Sequence, residues 1–88
     1  MKRDMDLVRH ILQTVEDTTN TRGIVHIDQF NDGHHSTEQI RYHLDMMGQA
    51  DLIAVEYIDM RHGAVLRVRA LTWQGHNLLD DLRSKESS

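Results

Sequence analysis

The stretch from Ser36 to Ile53 constrains the fold more than any other part of the chain. Ser36 and Gln39 have the spacing of a capping box, in which each side chain satisfies a free backbone amide at the start of a helix. After Gln39, four residues are spaced at i, i+3, i+4 and i+7, so their side chains share one buried face of the helix. The residues on that face are Ile40, His43, Leu44 and Met47. A helix over residues 36–49 is therefore predicted, followed by a strand that begins near Leu52.

Two further helices are predicted towards the ends of the chain. Asp4 can cap a helix over Asp4–Asp17, in which apolar side chains return every three or four residues. Thr72 can cap a last helix, along which Gly75 and three leucines form a packing stripe. Together with the apolar residues of the strands, these stripes predict one core. Its predicted members are Ile11, Leu12, Val15, Ile40, Leu44, Met47, Leu52, Val68, Leu78 and Leu82.

Three segments have the composition and the alternation that are typical of β-strands. They are Ile24–Ile27, Leu52–Ile58 and Val65–Leu71, and the polar residues 59–63 predict a hairpin tip between the last two. Because successive side chains of a strand point to opposite faces, the last strand divides into two sets. The set expected to face the core is Leu66, Val68 and Ala70. The set expected on the opposite face is Arg67 and Arg69.

These elements predict an α+β fold of the winged helix-turn-helix type, with a small antiparallel sheet and a C-terminal helix. A standard helix-turn-helix has a supporting helix before its second helix. Here the corresponding segment, Asp28–His35, contains the turn-forming run Asn31-Asp32-Gly33, so the supporting helix is predicted to be shortened or missing. The chain has no proline and no obvious linker, and we expect one domain over residues 1–84 and a flexible tail over residues 85–88.

Three segments of the chain resemble a known family: MKRDMDLVRHIL, IRYHLDMMGQADLI and LTWQGHNLLDDLR. The family consists of small, mostly uncharacterised bacterial and phage proteins that carry a domain of unknown function with a winged-helix fold. The segments span most of the chain from Met1 to Arg83, and MKRDMDLVR with LTWQGH is a fairly specific pair. The resemblance implies this fold and a phage or prophage context, and it transfers no catalytic residue. One departure is Asp51, which stands where many winged helices carry a glycine.

The charge and the cysteine content limit the chemistry open to the chain. Its net charge of −4 disfavours attraction of nucleic acid to the whole surface, although a local basic patch is compatible with it. The absence of cysteine excludes disulfides, thiolate metal sites and a cysteine nucleophile. No run approaches the roughly 18 apolar residues of a membrane span, and the start lacks the apolar core of a signal peptide. We therefore expect a cytoplasmic protein with no membrane partner.

One function open to this fold is the binding of double-stranded DNA, with helix 36–49 in the major groove and the hairpin, or wing, along the phosphates. The residues expected to contact phosphates are Arg61, Arg67 and Arg69, with His62 beside them. Those expected to contact bases are Gln39, Arg41 and Tyr42. However, Glu38 and Asp45 would approach phosphates or acceptor-rich groove edges, and with Arg41 they give the helix a net charge of −1.

The other function is the binding of a protein, which we place first, with DNA-binding transcriptional regulation as the alternative. Met5, Leu7 and Ile11 widen the apolar part of the first helix, which either completes the core or leaves surface for a homodimer or a host protein partner. Trp73 is expected in the core or as a dimer anchor. Acidic residues are also expected to meet a basic partner; these are Glu38, Asp45, Asp80 and Asp81. The context would be that of a phage or prophage accessory or regulatory protein.

Seven histidines raise the question of a metal site. The adjacent side chains of His34 and His35 cannot easily point at one ion, and the chain contains no HExxH motif. His43 lies on an apolar helix face, where we expect a core histidine bonded to a backbone carbonyl. The sequence also lacks a glycine-rich phosphate loop and a nucleophile elbow. We therefore expect no metal, no cofactor and no enzymatic activity.

Overall fold

Three helices and a three-stranded sheet make up most of the computed structural model, which describes residues 3–19, 23–61 and 63–87. The helices are α1 (Met5–Thr19), α2 (Thr37–Gln49) and α3 (Trp73–Ser87). The strands are β1 (Val25–His26), β2 (Ile53–Met60) and β3 (Gly63–Leu71), and a 3₁₀ turn covers Ile27–Phe30. The predicted α+β class is confirmed. None of the described helices is both long enough and apolar enough to cross a membrane.

The first two helices begin at the caps that the sequence predicts. Asp4 Oδ1 accepts the backbone N–H groups of Asp6, at 3.0 Å, and of Leu7, at 3.3 Å. Ser36 Oγ accepts the Gln39 N–H at 3.1 Å, while Gln39 Oε1 accepts the Ser36 N–H at 2.9 Å. These bonds satisfy amides that have no partner within their own helix, and the second set is the predicted capping box.

The sheet has the strand order β1-β3-β2, and both neighbouring pairs are antiparallel. The short strand β1 pairs with β3 through Val25 and Val68. The ladder between β2 and β3 is longer, with a register shift between Ala54 and Val55. Because β3 is the central strand, its inward side chains lie at the middle of the core, as expected for Val68, which is fully buried.

A 3₁₀ turn follows the short strand β1 in the region where the sequence predicted a shortened or missing supporting helix. Strand β1 was expected over Ile24–Ile27, but it ends at His26, where the 3₁₀ turn begins. The His26 N–H donates to Gln29 Oε1 at 2.9 Å, while His26 is still paired with Arg67 of β3. Phe30 at the end of the turn is fully buried. A single 3₁₀ turn thus brings one aromatic side chain into the core, and it is the helical element that the structure has between β1 and α2.

The loop at the hairpin tip is shorter than the predicted residues 59–63. Both strands run two residues further than expected, and Met60 and Gly63 form the last pair of the ladder. Gly63 adopts a φ of +115°, which side chains rarely tolerate. Two residues remain in the loop, of which Arg61 is described and His62 lies outside the described residues. Two-residue loops are favoured because their twist matches that of the flanking strands.

One cluster of buried apolar side chains fills the space between the helices and the sheet. Helix α1 packs against β3 and α3, and α2 packs against β2. The members of the cluster are Leu7, Val8, Ile11, Leu12, Val15, Val25, Phe30, Ile40, Leu44, Met47, Ile53, Leu66, Val68 and Leu79. Three predicted core residues, Leu52, Leu78 and Leu82, are only partly buried and pack against this cluster. The other predicted members belong to it.

Helix α2 ends in a motif that usually contains glycine. Asp51 has a φ of +61°, in the left-handed region. The Leu52 N–H donates to the Met47 carbonyl at 2.9 Å, and the Asp51 N–H donates to the Gly48 carbonyl at 3.1 Å. These two bonds define a Schellman motif, in which the left-handed residue is glycine in most helices. Aspartate tolerates this conformation better than most residues, so the departure leaves the helix end intact.

Helix α3 approaches the end of α2 more closely than any side chain would allow. Thr72 Oγ1 accepts the Gly75 N–H at 3.1 Å, which is the predicted cap, and the Thr72 N–H donates to the Leu52 carbonyl at 3.1 Å. A Cβ atom on Gly75 would lie 1.9 Å from that same carbonyl oxygen. Gly75 is therefore required for close packing between the start of α3 and the chain that leaves α2.

The far end of α3 is attached to α1 by polar contacts. Arg83 Nη2 donates to Gln13 at 2.6 Å and to Glu16 at 2.8 Å. The helix continues to Ser87, so residues 85–87, which were assigned to a flexible tail, belong to α3. Their flexibility stays a prediction, and residue 88 lies outside the described residues.

Candidate functional site

The exposed side of α2 meets the β2–β3 hairpin through a side-chain contact. The Tyr57 hydroxyl, in the middle of β2, donates to the Asp45 carboxylate on α2. This hydrogen bond raises the pKa of Tyr57, because it favours the protonated phenol, while the charge of Arg41 acts in the opposite direction.

The predicted DNA-contacting residues differ in their surroundings. Arg61 and Arg69 are exposed, as are Arg41 and Tyr42 on α2. Two residues are engaged within the fold. Arg67 is half-buried with Nη2 3.4 Å from Glu56 on β2, and Gln39 closes the capping box through its Oε1. The structure therefore leaves four of the six predicted residues accessible, namely Arg41, Tyr42, Arg61 and Arg69.

The acidic residues predicted to meet a basic partner stand on two helices. Glu38 and Asp45 belong to α2, Asp80 and Asp81 belong to α3, and α1 packs against both helices. Asp45 accepts the tyrosine hydroxyl described above, and Asp80 lies 4.0 Å from Arg83. The structure therefore does not assemble these four residues into one acidic surface.

An apolar groove lies where the start of α1, the end of α2 and the middle of α3 meet. Its volume is about 170 Å³. We call it the methionine groove, and its lining residues are Arg3, Met5, Val8, Met46, Met47, Ala50, Leu52 and Leu78. Met5 is 40% exposed at its rim. Sequence analysis missed this groove, although Met46 and Ala50 lie four residues apart beside the buried stripe of α2, and that widening of the stripe was the available signal.

Trp73, the first residue of α3, is largely exposed to solvent. Its exposed fraction is 79%, above that of any other large hydrophobic residue in the described chain. The prediction that it lies in the core is wrong, because the core stripe of α3 starts at Gly75, which is about 200° away around the helix. Its role as a dimer anchor stays a prediction. Trp73 lies close to the methionine groove, since Thr72 is bonded to Leu52, which lines that groove.

A polar cluster ties the start of α1 to the loop before α2. His35 Nδ1 lies 2.7 Å from Asp32 Oδ2, and His35 Nε2 lies 3.0 Å from Asp4 Oδ2. The hydrogen bonds to Asp4 and Asp32 raise the pKa of His35. The pKa of Asp4 is lowered mainly by the same bond, and that of Asp32 by the His34 N–H and then by His35. Because both ring nitrogens of His35 face carboxylate oxygens, a protonated imidazole can donate to Asp4 and Asp32 at the same time.

His43 is a core histidine, as predicted. It is fully buried, with Nδ1 at 2.7 Å from the Gln39 carbonyl and Nε2 at 2.8 Å from the backbone N–H of Asp4. Because the carbonyl requires a donor and the N–H an acceptor, the proton lies on Nδ1. Across residues 3–19, 23–61 and 63–87, no group of three or more histidine and carboxylate side chains is arranged to hold a metal ion.

Comparisons with known proteins place the chain in a family without an assigned activity. An uncharacterized protein of Haemophilus influenzae is 38% identical over 85 residues, which is 96% of this chain and 70% of that relative. No solved structure matches the chain. The model of a family described as "Hypothetical protein (DUF2513)" matches residues 2–87. The expected resemblance to a domain of unknown function is therefore confirmed, and the chain belongs to the DUF2513 family.

Proposed function

We propose that the chain is a non-enzymatic winged-helix binding module that acts through protein–protein contacts. The order of elements, in which a helix and a short strand precede α2 and the hairpin, supports the winged-helix assignment. The strand order β1-β3-β2 supports it as well. The resemblance to bacterial and phage proteins supports a role as a phage or prophage accessory or regulatory protein in the cytoplasm. A fold of this kind serves several functions, so the choice depends on the surfaces.

The methionine groove is the observation that carries the proposal. It is apolar over most of its lining, and it opens at the protein surface next to the exposed Met5. Methionine side chains are unbranched and polarisable, so a surface that contains several of them adapts to the shape of an apolar partner. Exposed apolar surface of this kind costs free energy in water, and covering it with a partner recovers that free energy.

The charges around α2 and the hairpin favour a protein partner over DNA. Four arginines, at positions 41, 61, 67 and 69, are matched by four acidic residues, Glu38, Asp45, Glu56 and Asp59. The two sets cancel, so this region has no net positive charge. Non-specific DNA affinity depends on cations that replace the counterions of the phosphates, and a neutral region supplies little of it.

A pair of neighbouring substitutions tests the proposal. Ala50→Arg places a long cationic side chain on the exposed wall of the methionine groove, whereas Gln49→Arg adds the same charge at an exposed site outside the groove lining. Tagged wild-type and variant proteins are compared in affinity capture from bacterial lysate. We expect a partner that binds the wild type and Gln49→Arg but not Ala50→Arg. Equal capture by all three proteins would refute the role of the groove.

DNA binding is a second candidate, favoured by the exposure of Arg41, Arg61 and Arg69. Its test is binding to mixed-sequence duplex DNA at low and then moderate salt. If the hairpin contacts phosphates, the double change Arg61→Ala and Arg69→Ala should weaken binding and reduce the salt slope by about 2. An unchanged slope, or no binding by the wild type even at low salt, would exclude this candidate.

A further inference from the structure

The start of α1 forms one side of the methionine groove. Arg3 and Met5 line the groove, and Asp4 stands between them in the chain. Asp4 attaches this stretch to two other parts of the molecule, through its backbone to His43 on α2 and through its side chain to His35 in the loop before α2. The position of this side of the groove therefore depends on two histidines that contact one aspartate.

The two histidines require different protonation states. His43 Nε2 accepts the Asp4 N–H at 2.8 Å, which requires a neutral ring with a lone pair on that nitrogen. His35 Nδ1 and Nε2 face the carboxylates of Asp32, at 2.7 Å, and of Asp4, at 3.0 Å, and only the protonated ring has a donor for each. Asp4, from α1, and Asp32, from the loop, are the charged groups that act on His35 in the described part of the chain.

Loss of the His35 proton affects the two carboxylates unequally. Asp32 is fixed beside the ring, because its Oδ1 also accepts the backbone N–H groups of His34, at 2.8 Å, and of His35, at 3.0 Å. Asp4 is 31 positions away in the sequence, and its side chain is 42% exposed, against 18% for Asp32. A neutral ring therefore keeps its one N–H on Nδ1 for Asp32 and turns the lone pair of Nε2 towards Asp4. Two acceptors then face each other, and the contact between α1 and the loop is lost.

We propose that a proton on His35 controls the attachment of the start of α1 to the loop before α2, and with it the position of one side of the methionine groove. With the proton bound, both the side chain and the backbone of Asp4 are bonded, which fixes Arg3 and Met5 on either side of it. Without the proton, the bond to His43 remains, and the stretch opens to solvent more often. The pKa of His35 is raised, so the attachment is complete below the ordinary value of 6.5 while Asp4 is ionised, and it is lost as the pH rises through the folded value.

Nuclear magnetic resonance of the full chain tests the attachment from mildly acidic to alkaline pH. The imidazole signals of His35 follow its titration, the methyl signal of Met5 follows the side of the groove, and hydrogen exchange of the Asp4 N–H follows local opening. We expect the Met5 signal to shift with the midpoint of the His35 titration. Protection of the Asp4 N–H, corrected for its intrinsic exchange rate, should fall about fivefold, which is the effect of one hydrogen bond. The Ser36 N–H, bonded to Gln39, should keep its protection.

Asp4→Asn reverses the polarity of the contact and provides the sharpest variant. The asparagine oxygen can keep the helix cap, in which it accepts the N–H groups of Asp6 and Leu7, while its NH₂ group donates to a neutral His35. In this variant the attachment should form as His35 loses its proton, so the pH dependence of both signals should be inverted. His35→Gln should remove the step, and His34→Gln, at an exposed neighbouring position, should retain it.

Three outcomes would overturn the inference. The first is a constant Met5 signal and constant Asp4 protection while His35 titrates, the second is a step that survives in His35→Gln, and the third is a wild-type direction of the step in Asp4→Asn. Circular dichroism at each pH distinguishes local opening from unfolding of a variant. The measurements use the free protein, so they are independent of what the methionine groove binds and of the proposed function.

Discussion

The two ends of α2 are joined to the other helices by different kinds of interaction. At its start, side chains make the junction: Asp4, His35 and His43 connect α1 to α2 and to the loop before it. At its end, the backbone makes the junction, through the Leu52 carbonyl and the missing side chain of Gly75. We call these the Asp4 junction and the Leu52 junction.

The contrast separates charge from shape as sources of stability. The Asp4 junction contains titratable groups, so its contribution depends on pH. The Leu52 junction contains neutral groups at close range, so its contribution depends on volume and hardly on pH. Substitutions in the two places should therefore differ both in size and in their response to pH.

The largest effect is expected at the Leu52 junction from Gly75→Ala. The new Cβ would lie 1.9 Å from the Leu52 carbonyl oxygen, and backbone cannot move aside as a side chain can. We expect a loss of at least about 3 kcal/mol of unfolding free energy, despite the higher helix propensity of alanine. Urea denaturation followed by circular dichroism measures it.

Gly48→Ala provides the matched control, because its Cβ would meet only the Val55 side chain, at 3.1 Å. A gain of about 1 kcal/mol in helix propensity offsets that tight contact, so we expect a change within about 1 kcal/mol. If both substitutions lower the unfolding free energy by the same amount, the close approach of the Leu52 backbone is not the reason why position 75 requires glycine.

At the Asp4 junction, His43→Leu should produce the next largest effect. Leucine fills much of the same space but leaves the Asp4 N–H without its acceptor, and an unmade hydrogen bond at a buried site costs about 1–3 kcal/mol. We expect a loss of about 2 kcal/mol in thermal or urea unfolding. His34→Leu, at an exposed position, should change stability by less than about 0.5 kcal/mol. Equal losses would show that the hydrogen bond is unimportant.

A smaller and pH-dependent effect is expected from His35→Gln. The pKa of His35 is raised in the folded state, so its contribution is complete below the unfolded value of 6.5 and is lost as pH rises through the folded value. Asp4 and Asp32 have lowered pKa values, so their contribution is present above 3.8 and is lost as pH falls through the folded values. The wild type should therefore be most stable between pH 3.8 and pH 6.5.

Unfolding midpoints measured from acid to alkaline pH test this profile. His35→Gln should lower stability at mildly acidic pH and remove the decline on the alkaline side that the imidazole causes. His34→Gln is the neighbouring control. A wild-type profile that stays level as the pH rises from 6.5 would contradict the ion pairs of His35.

The smallest effect is expected from Asp51→Gly at the end of α2. Glycine adopts the left-handed conformation without steric cost, and loss of a carboxylate next to the negative end of the helix dipole is also favourable. The greater freedom of glycine in the unfolded chain opposes these gains, so we expect stabilisation by only about 0.5 kcal/mol. Asp51→Ala should instead destabilise the protein, and two changes of the same sign would contradict the backbone explanation.

The features that were predicted correctly depend on residues close together in the chain. The Ser36 and Gln39 capping box, the Asp4 and Thr72 caps and the buried face of α2 all follow from spacings of three or four residues. Such spacings fix neighbours on a helix whatever the rest of the chain does. The α+β class followed from the same local patterns.

The features that were missed depend on contacts between distant segments. Asp4 and His35 are separated by 31 positions, and no local pattern indicates that they meet. The methionine groove arises where three helices converge. Trp73, which was expected in the core or as a dimer anchor, is exposed because it lies on the outer side of α3. The engagement of Arg67 by Glu56 required the register of the hairpin, which the alternation of side chains alone does not fix.

The contact between Tyr57 and Asp45 attaches the hairpin to helix α2 through a hydrogen bond. Asp45 lies two residues after His43 on α2, and His43 is bonded to the first turn of α1. The Tyr57 hydroxyl, Asp45 and His43 therefore join strand β2, helix α2 and the cap of α1 in one series of side-chain contacts.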